Sequence, residues 1–346
     1  MFALKKFTVT VLFCLASLLA YAQNSDTTII STFDVKENVV LELDFAHTDL
    51  NIINAEDDSL KIETYVKVIK SNTAKPFDEI EINHTKNDNH THVNASVIFS
   101  NDFINYNEFQ SICTIAIPQK TNLKINSRFG TINLNACTEK IVANIDYVNF
   151  NADSIDATES YEIAANYSTI EIKNCQNKFT LKGTNNSLTA QNINKLITDT
   201  EFSYVSIDSC KLLNAKSHMD KYVLQTTDSV YISSNKSAAQ IVNINKFIQS
   251  EMLYGDLNIQ NVNPSFSTIN IANEYAKTSL NFDPKCQLSI NTNLRYCQLN
   301  SEKMIFQEII SPNGTQHSGY YGNIKNPNST VSIVSSYGDV HISFAQ

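Results

Sequence analysis

The sequence predicts an all-β protein, a single-handed, β-helix-like β-solenoid of about eleven coils of roughly 21 residues, with a less regular β cap before them. The first observation is a recurring phrase: an aromatic residue, two small or polar residues, then apolar, polar, apolar. It reads FGTINL at 129–134, YSTIEI at 167–172, YGDLNI at 254–259 and YGDVHI at 337–342. The second observation is that the apolar residues alternate with period two, which is typical of a strand with one face inward.

The first residue of each phrase sets the register of the predicted coils. These markers are residues 129, 147, 167, 185, 202, 227, 254, 275, 296, 321 and 337. Their mean separation of about 21 residues is shorter than the helical repeat units of ankyrin or tetratricopeptide proteins. The apolar members of the clearest phrases are predicted to point inward, and they are Ile132, Leu134, Ile170, Ile172, Val205, Ile207, Leu257, Ile259, Val340 and Ile342.

Three regions are predicted along the chain. Residues 1–22 carry two lysines, an apolar run and Ala20-Tyr21-Ala22, the three parts of a secretory signal peptide. Residues 23–120 alternate less regularly and are predicted to form an N-terminal β region or cap, which would cover the strand edges of the first coil. Residues 121–346 are predicted to form the β-solenoid. The apolar run of the signal is short for a membrane span, and no later segment is apolar enough to form one.

The signal sequence and the composition limit the partners. The ending Ala-Tyr-Ala-Gln is similar to signals of some Gram-negative bacteria, so the expected destination is the periplasm, the outer surface or the medium. The formal net charge is -9, and removing the signal with its two lysines makes the mature chain more acidic. Only Arg128 and Arg295 are arginines, and nucleic acid is therefore a poor partner. Asparagines between apolar residues, such as Asn51, Asn133, Asn149 and Asn258, could form amide ladders, and the alternative for any one of them is that it only fills a turn.

Six cysteines follow the signal: Cys113, Cys137, Cys175, Cys210, Cys286 and Cys297. Three of them, Cys137, Cys175 and Cys210, occupy one register position after the phrase, which favours a shared small buried site holding thiols. A disulfide between Cys286 and Cys297 stays open, because the two lie about half a coil apart.

The sequence contains no recognisable catalytic motif. HExxH, GxSxG, GxxxxGK[ST] and CxxC are absent from the sequence, so neither catalytic residues nor a cofactor are predicted. The weak metal candidates are His84, His90 and His92, since imidazoles close together on a polar hairpin could bind zinc or copper. The simpler interpretation is that a polar turn has collected these histidines by chance.

A column of aromatic residues is the second candidate site. Its members would line one edge of the stack if the coils keep their register: Phe129, Tyr147, Tyr167, Phe202, Tyr254, Tyr275, Tyr296, Tyr321 and Tyr337. Exposed rings could stack on sugars or on a partner, whereas rings buried at a corner would form a structural ladder. We expect the buried ladder, because Gly130, Gly255, Gly322 and Gly338 each follow an aromatic residue and suit a sharp corner.

The exported chain and its aromatic-Gly-Asp/Asn-apolar-polar-apolar phrase resemble bacterial adhesin domains of the cell envelope, the head-domain auto-transporter adhesins and their toastrack-like relatives. The resemblance implies a β-solenoid and an adhesin-like binding or structural role, without catalytic residues to transfer. The implied partner is an envelope protein or glycan of unknown identity. Envelope-stress sensing or signalling is one alternative, and a β-helix polysaccharide lyase or hydrolase is a weaker one, since it would need clustered carboxylates with a basic group or calcium.

Overall fold

Strands account for almost all of the regular structure. The computed structural model describes residues 25–71, 75–136, 138–155, 160–311, 314–322 and 327–345. Strand residues make up 78% and helix 3%, which confirms the all-β prediction. The strands are β1 (Ser25–Asp34), β2 (Val40–Ala46), β3 (Asp49–Asn54), β4 (Ser59–Lys70), β5 (Ile80–Lys86), β6 (His92–Phe99), β7 (Glu108–Ile117), β8 (Asn122–Asn135), β9 (Lys140–Ile155), β10 (Ser160–Asn166), β11 (Thr169–Thr184), β12 (Ser187–Glu201), β13 (Tyr204–His218), β14 (Lys221–Val262), β15 (Thr268–Phe282), β16 (Leu288–Arg295), β17 (Leu299–Ser301), β18 (Ile305–Ser311), β19 (Gly314–Tyr321), β20 (Ser329–Ser336) and β21 (Val340–Phe344).

Two short helices lie in the N-terminal region. A single 3-10 turn spans Pro76–Glu79, and α1 spans Asn101–Tyr106. Helix α1 begins where the Ser100 side chain accepts a hydrogen bond from the backbone N–H of Phe103. Such N-caps satisfy one of the donors that the first turn of a helix leaves open. Within the described residues, neither helix nor any other is long and apolar enough to cross a membrane.

Parallel strands stack directly upon one another in the middle of the chain. From β8 to β15, each residue lies opposite a partner 17 to 21 residues further along the chain. The predicted mean of about 21 residues lies at the upper end of this range, and the long, mostly parallel sheet is consistent with a solenoid. Here, one 17-to-21-residue step of the stack is called a coil.

The inward side of the stack is apolar along its length. All ten residues predicted to point inward are at most 2% exposed, from Ile132 to Ile342. Period-two alternation accounts for this, because every second side chain of a strand faces the same way and adjacent coils bury that face together. These residues belong to one continuous cluster that also includes the cap residues Leu60 and Ile115.

The N-terminal coil enters the stack out of sequence order. Strands β2 and β3 pair in parallel with β8, so that Val40 lies opposite Asn122 and Ile52 lies opposite Leu134. On their other side they pair with β6 and β7. Antiparallel strands then cover this end, with β5 on β6, β4 on β7 and β1 on β4. The predicted signal peptide lies outside the described residues.

The C-terminal segment enters the stack in the same manner. Strand β20 lies between β15 and β16, with Val331 opposite both Ile269 and Ile290. Strand β21 lies between β15 and β17. The antiparallel pair β18–β19 covers this end through β16. Each end of the stack is therefore closed by a segment that has returned from elsewhere in the chain and by an antiparallel hairpin.

Candidate functional site: the aromatic corner

One corner repeats along the whole stack, and every residue at its apex has a left-handed backbone. In the described part of the chain these apex residues have φ between 51° and 59°. We call them the corner column, and in order of stacking they are His47, Phe129, Tyr147, Tyr167, Asn185, Phe202, Met219, Lys236, Tyr254, Tyr275, Tyr337 and Tyr296. Residues other than glycine rarely adopt this conformation, which costs about 1–3 kcal/mol each. Its recurrence shows that the surrounding coils impose it.

Backbone hydrogen bonds hold the corner column in register. The N–H of Tyr167 donates to the carbonyl of Thr184, and that of Asn185 donates to Glu201. The corresponding bond at the C-terminal end runs from Tyr337 to Arg295. Because each donor binds the carbonyl just before the next apex residue, the side chains of successive apex residues lie above one another.

The predicted markers at 227 and 321 do not lie at this corner. Its apex residues in that part of the stack are Met219 and Lys236, which lack an aromatic ring and so do not begin a recognisable phrase. Tyr321 ends the antiparallel strand β19, where its ring stacks on Phe344. The aromatic phrase marks the corner only where an aromatic residue occupies the apex.

The rings of the corner column form two stacked runs. The first consists of His47, Phe129, Tyr147 and Tyr167, with ring centroids 4.7, 5.2 and 4.9 Å apart. The second consists of Tyr254, Tyr275, Tyr337 and Tyr296, with separations of 4.9, 4.6 and 4.9 Å. Neighbouring rings are within 20° of parallel, so each interior ring has both faces covered and presents its edge outward.

The stacked rings are exposed, and the expectation of a buried corner was wrong. The exposure of the tyrosine and phenylalanine residues in the runs ranges from 42% for Tyr275 to 66% for Tyr296, while His47 is half-buried. The left-handed backbone explains this, because the turn directs the apex side chain away from the core. The following glycines serve close approach, as predicted: a Cβ on Gly130 would collide with the carbonyl oxygen of Thr48, and one on Gly338 with that of Ala276.

Between the two runs, buried polar side chains replace the stacked rings. Each follows an apex residue directly, and we call them the inner column: Ser168, Asn186, Ser203, Asp220 and Ser237. Each of these side chains accepts a hydrogen bond from a backbone N–H of the coil before it. The donor and acceptor residues are Val148 and Ser168 (3.1 Å), Ser168 and Asn186 (3.1 Å), Asn186 and Ser203 (3.1 Å), Ser203 and Asp220 (2.7 Å), and Asp220 and Ser237 (3.1 Å). Sequence reasoning missed this column, although its spacing of 18, 17, 17 and 17 residues is readable once the markers are corrected.

The buried carboxylate of Asp220 has a full set of donors. Its Oδ1 accepts from the Ser203 N–H, and its Oδ2 accepts from the Thr200 hydroxyl at 2.8 Å. The adjacent Tyr222 hydroxyl lies 2.8 Å from the Thr198 hydroxyl. Burial, and secondarily the charge of Asp220, raise the pKa of Tyr222 to about 12. These groups stabilise the corner from within and do not reach solvent.

An open groove of about 420 Å³ lies where the inner column replaces the rings. We call it the gap groove. Its rim is formed by the apex residues Tyr167, Asn185, Phe202 and Met219. One side is formed by the residues two positions after each apex, which are Thr169, Ser187, Tyr204 and Lys221. Among the residues that the structure describes, the ring contact of Phe202 is edge-on, with His218 at 6.1 Å and 85°.

The three histidines of the weak metal candidate have other partners. His84 lies 2.9 Å from the Thr64 hydroxyl and 3.1 Å from the Ser31 hydroxyl, and partial burial lowers its pKa. His90 lies 3.1 Å from the Asp34 carbonyl, and His92 lies 3.1 Å from the Thr91 hydroxyl. Across the described ranges, no three His, Cys, Asp or Glu side chains converge as a metal site would require.

The cysteines occupy the inward side of the stack. Cys175 and Cys210 lie at one register position with Ile193 between them, so the predicted shared buried site is confirmed for these two, while Cys137 lies outside the described residues. Cys210 is a thiol, and burial raises its pKa to about 11. Cys286 and Cys297 are thiols that donate to the carbonyls of Val262 and Ser335, so no disulfide joins them.

Amide ladders run along the outward faces. Asn51, Asn133 and Asn151 bond in sequence at 3.0 Å, and Asn126 bonds Asn144 at 3.0 Å. The predicted ladder role is confirmed for Asn51 and Asn133. Asn151, two residues beyond the predicted Asn149, continues this ladder, because it is the residue opposite Asn133.

No protein-family model matches the sequence, and no curated protein is significantly similar to it. Solved structures are similar at low identity. A "putative adhesin" of Parabacteroides distasonis is 10% identical, covers 73% of this chain and 97% of its own, and has a TM-score of 0.37. One of Parabacteroides merdae is 10% identical with coverages of 91% and 96% and a TM-score of 0.34. A "putative cell adhesion protein" of Clostridium sporogenes is 13% identical, with coverages of 93% and 100% and a TM-score of 0.20.

Proposed function

We propose that this protein is an exported, non-enzymatic, adhesin-like binding module of the bacterial cell envelope, and that the corner column is its contact surface. The observation that carries the proposal is the exposure of the aromatic rings in a fixed, repeated array. Eight rings, including that of His47, stand in two runs on one edge. The secretory signal predicted over residues 1–22 supports export.

The energetics favour a role beyond packing. A left-handed backbone at each aromatic apex costs about 1–3 kcal/mol, while the seven tyrosine and phenylalanine residues of the runs remain 42–66% exposed. Asn185 shows that the corner also forms with an asparagine, which adopts this conformation more readily. Tyrosine and phenylalanine are typical of binding surfaces because they offer a large contact area with few rotatable bonds.

The shape of the surface suits extended partners. The grooves beside the corner are open, and the tyrosine edges present phenolic hydroxyls about one inter-strand spacing, about 4.8 Å, apart. Such a surface makes many similar contacts with a long glycan or protein and does not enclose the ligand, so we expect micromolar affinity without turnover.

The acidic residue Asp228 accepts hydrogen bonds from Lys246 at 2.8 Å and Asn245 at 2.9 Å, and these hydrogen bonds lower the pKa of its carboxyl group.

Co-sedimentation with envelope fractions of Gram-negative bacteria tests the proposal. The purified chain should bind saturably, and the double variant Tyr147→Asn/Tyr275→Asn should bind at least severalfold more weakly. Tyr320→Ser is the matched control, because Tyr320 is 50% exposed but lies on β19 away from the corner column. Equal loss in all variants, or no saturable binding by the unaltered chain, would contradict the proposal. Release of new reducing ends or unsaturated sugars from a glycan panel would contradict its non-enzymatic part.

A further inference from the structure

Free ring faces occur where the stacked runs end. Inside a run each face is covered by a neighbour, so an interior ring cannot stack on a ligand without breaking the run. Tyr167 has one face on Tyr147, 4.9 Å away at 5°, and its other side faces the gap groove. Among the described residues, no ring stacks on that side of Tyr167 or on Phe202. The gap groove therefore combines uncovered aromatic faces with a depression.

The spacing across the groove suits one saturated ring. Tyr167, Asn185 and Phe202 lie on successive coils, so the two aromatic residues are two inter-strand spacings apart, about 9.6 Å. Contacts of about 3.5–4 Å to each face take up about 7–8 Å of this distance, so one ring fits between the two faces and a second does not. Asn185 is the short side chain between them, and it leaves the space above it open.

Hydrogen-bonding groups stand on the rim of the groove and along one side. The exposed Asn185 amide makes no side-chain hydrogen bond with any described residue, and an amide offers two donor hydrogens and an accepting oxygen. Thr169 and Ser187 add hydroxyls on the adjacent strands. Aromatic faces beside amides and hydroxyls complement a sugar ring, which has C–H groups on its faces and hydroxyls on its rim.

The charge of the groove favours an uncharged ligand. The carboxylate of Asp220 is only 3% exposed, and each of its oxygens accepts a hydrogen bond from within the protein. Lys221 is the remaining ionic group of the lining, and its ammonium lies 5.9 Å from the Tyr204 ring centroid. One ammonium on a chain of net charge -9 is weak attraction for a polyanionic glycan.

We propose that the gap groove binds one neutral pyranose ring of a glycan, held between Tyr167 and Phe202 and hydrogen-bonded by Asn185. This inference rests on the proposed function and gives it a ligand class and a place. The stacked runs on either side then contact the rest of the glycan or its carrier.

A glycan array with neutral and uronic-acid glycans, followed by calorimetry with a neutral hit, tests the inference on the full purified chain. Tyr167→Asn and Phe202→Asn should each weaken binding about tenfold, because each removes one stacking face. Asparagine keeps the left-handed backbone accessible, and circular dichroism with thermal melting checks the fold. Tyr320→Ser is the control and should bind as the unaltered chain does.

Asn185→Tyr provides a second variant that removes no ring. A tyrosine there should extend the first run to Phe202 and cover both free faces, so binding should fall at least tenfold while the fold persists. No neutral hit, binding to uronic-acid glycans alone, or equal affinity in all four variants would each overturn the inference. Envelope co-sedimentation that persists in these outcomes would leave the proposed function standing, whereas its absence from the unaltered chain would refute the function itself.

Discussion

The two stacked runs and the segment between them stabilise the same corner by different means. In the runs, rings pack outside the apex and the next residue is often small or apolar, such as Gly130, Val148 or Ala276, although Tyr167 at the end of the first run is followed by the buried Ser168. In the middle segment, the next residue is polar and buried and binds the neighbouring backbone, as Ser203 and Asp220 do. The left-handed turn is therefore compatible with stacked rings outside the apex and with a buried polar residue after it. A coil whose apex carries a stacked ring presents a ring edge, whereas a coil without one borders an open groove.

The largest expected effect comes from breaking the core that both regions share. Ile170→Asp places a charge among buried apolar neighbours beside the Tyr167 corner and should destabilise the fold by about 4 kcal/mol or more. Glu171→Lys, on the outward side of the same strand, should change stability by less than about 0.5 kcal/mol. Denaturant unfolding compares them, and equal losses would refute the inward register.

Removing a hydrogen-bond acceptor of the inner column should lower the free energy of unfolding by less than Ile170→Asp does. The loss should be confined to the middle segment. Asp220→Ala leaves the Ser203 N–H and the Thr200 hydroxyl without their acceptor, at about 2–3 kcal/mol. Asp220→Asn retains an acceptor oxygen and should cost clearly less. Hydrogen exchange should show the Ser203 amide losing protection while the amides under the second run keep theirs. Uniform loss of protection would mean that the two regions do not differ as described.

Alkaline pH should weaken the middle segment selectively. Burial raises the pKa of Tyr222 from 10.0 to about 12, so the folded state keeps a proton that the unfolded state releases. The associated stability is complete below pH 10 and is lost as the pH rises towards 12. At pH 11 the loss should be about 1 kcal/mol. Melting from pH 9 to 11 measures this loss, and Tyr222→Phe should remove this part of the pH dependence. If Tm falls with pH equally steeply in Tyr222→Phe, a group other than Tyr222 causes the loss of stability.

The smallest effect tests whether the two devices can be combined. Asn185→Tyr should extend the first run to Phe202 above an intact inner column. Stacking adds about 0.5–1.5 kcal/mol, and the left-handed strain of tyrosine relative to asparagine opposes it. We expect a net gain below about 1 kcal/mol, seen as a small rise in Tm. Destabilisation beyond about 1 kcal/mol would show that the corner above Asn186 does not accept a stacked ring as the corner above Ser168 does.

The strands and the inward residues could be predicted because alternation follows directly from strand geometry. Ile132 and Ile342, more than 200 residues apart, obey the same rule. The exposure of Tyr147 or Tyr254 could not be predicted, since hydropathy gives no sign of a left-handed backbone. Met219 and Lys236 escaped recognition because the corner depends on backbone hydrogen bonds that any side chain permits.

The order of the coils was also beyond the sequence pattern. The phrase near Val340 fits equally well beside any other coil, so nothing in it indicates that β21 lies between β15 and β17. The corner column itself depends on this order, because Tyr337 stacks between Tyr275 and Tyr296 and not beyond them.

The returning terminal segments have a consequence for how the protein is completed and degraded. Strands β20 and β21 fill a slot between coils made earlier in the chain, so β16 and β17 cannot reach their final positions until residues 329–344 have been synthesised. Pairings so distant in sequence form slowly, and the last stage of assembly should be the closing of this slot. Once it is closed, strand β21 can be pulled out for proteolysis only by breaking the hydrogen bonds of both neighbouring ladders, whereas an edge strand is held by one.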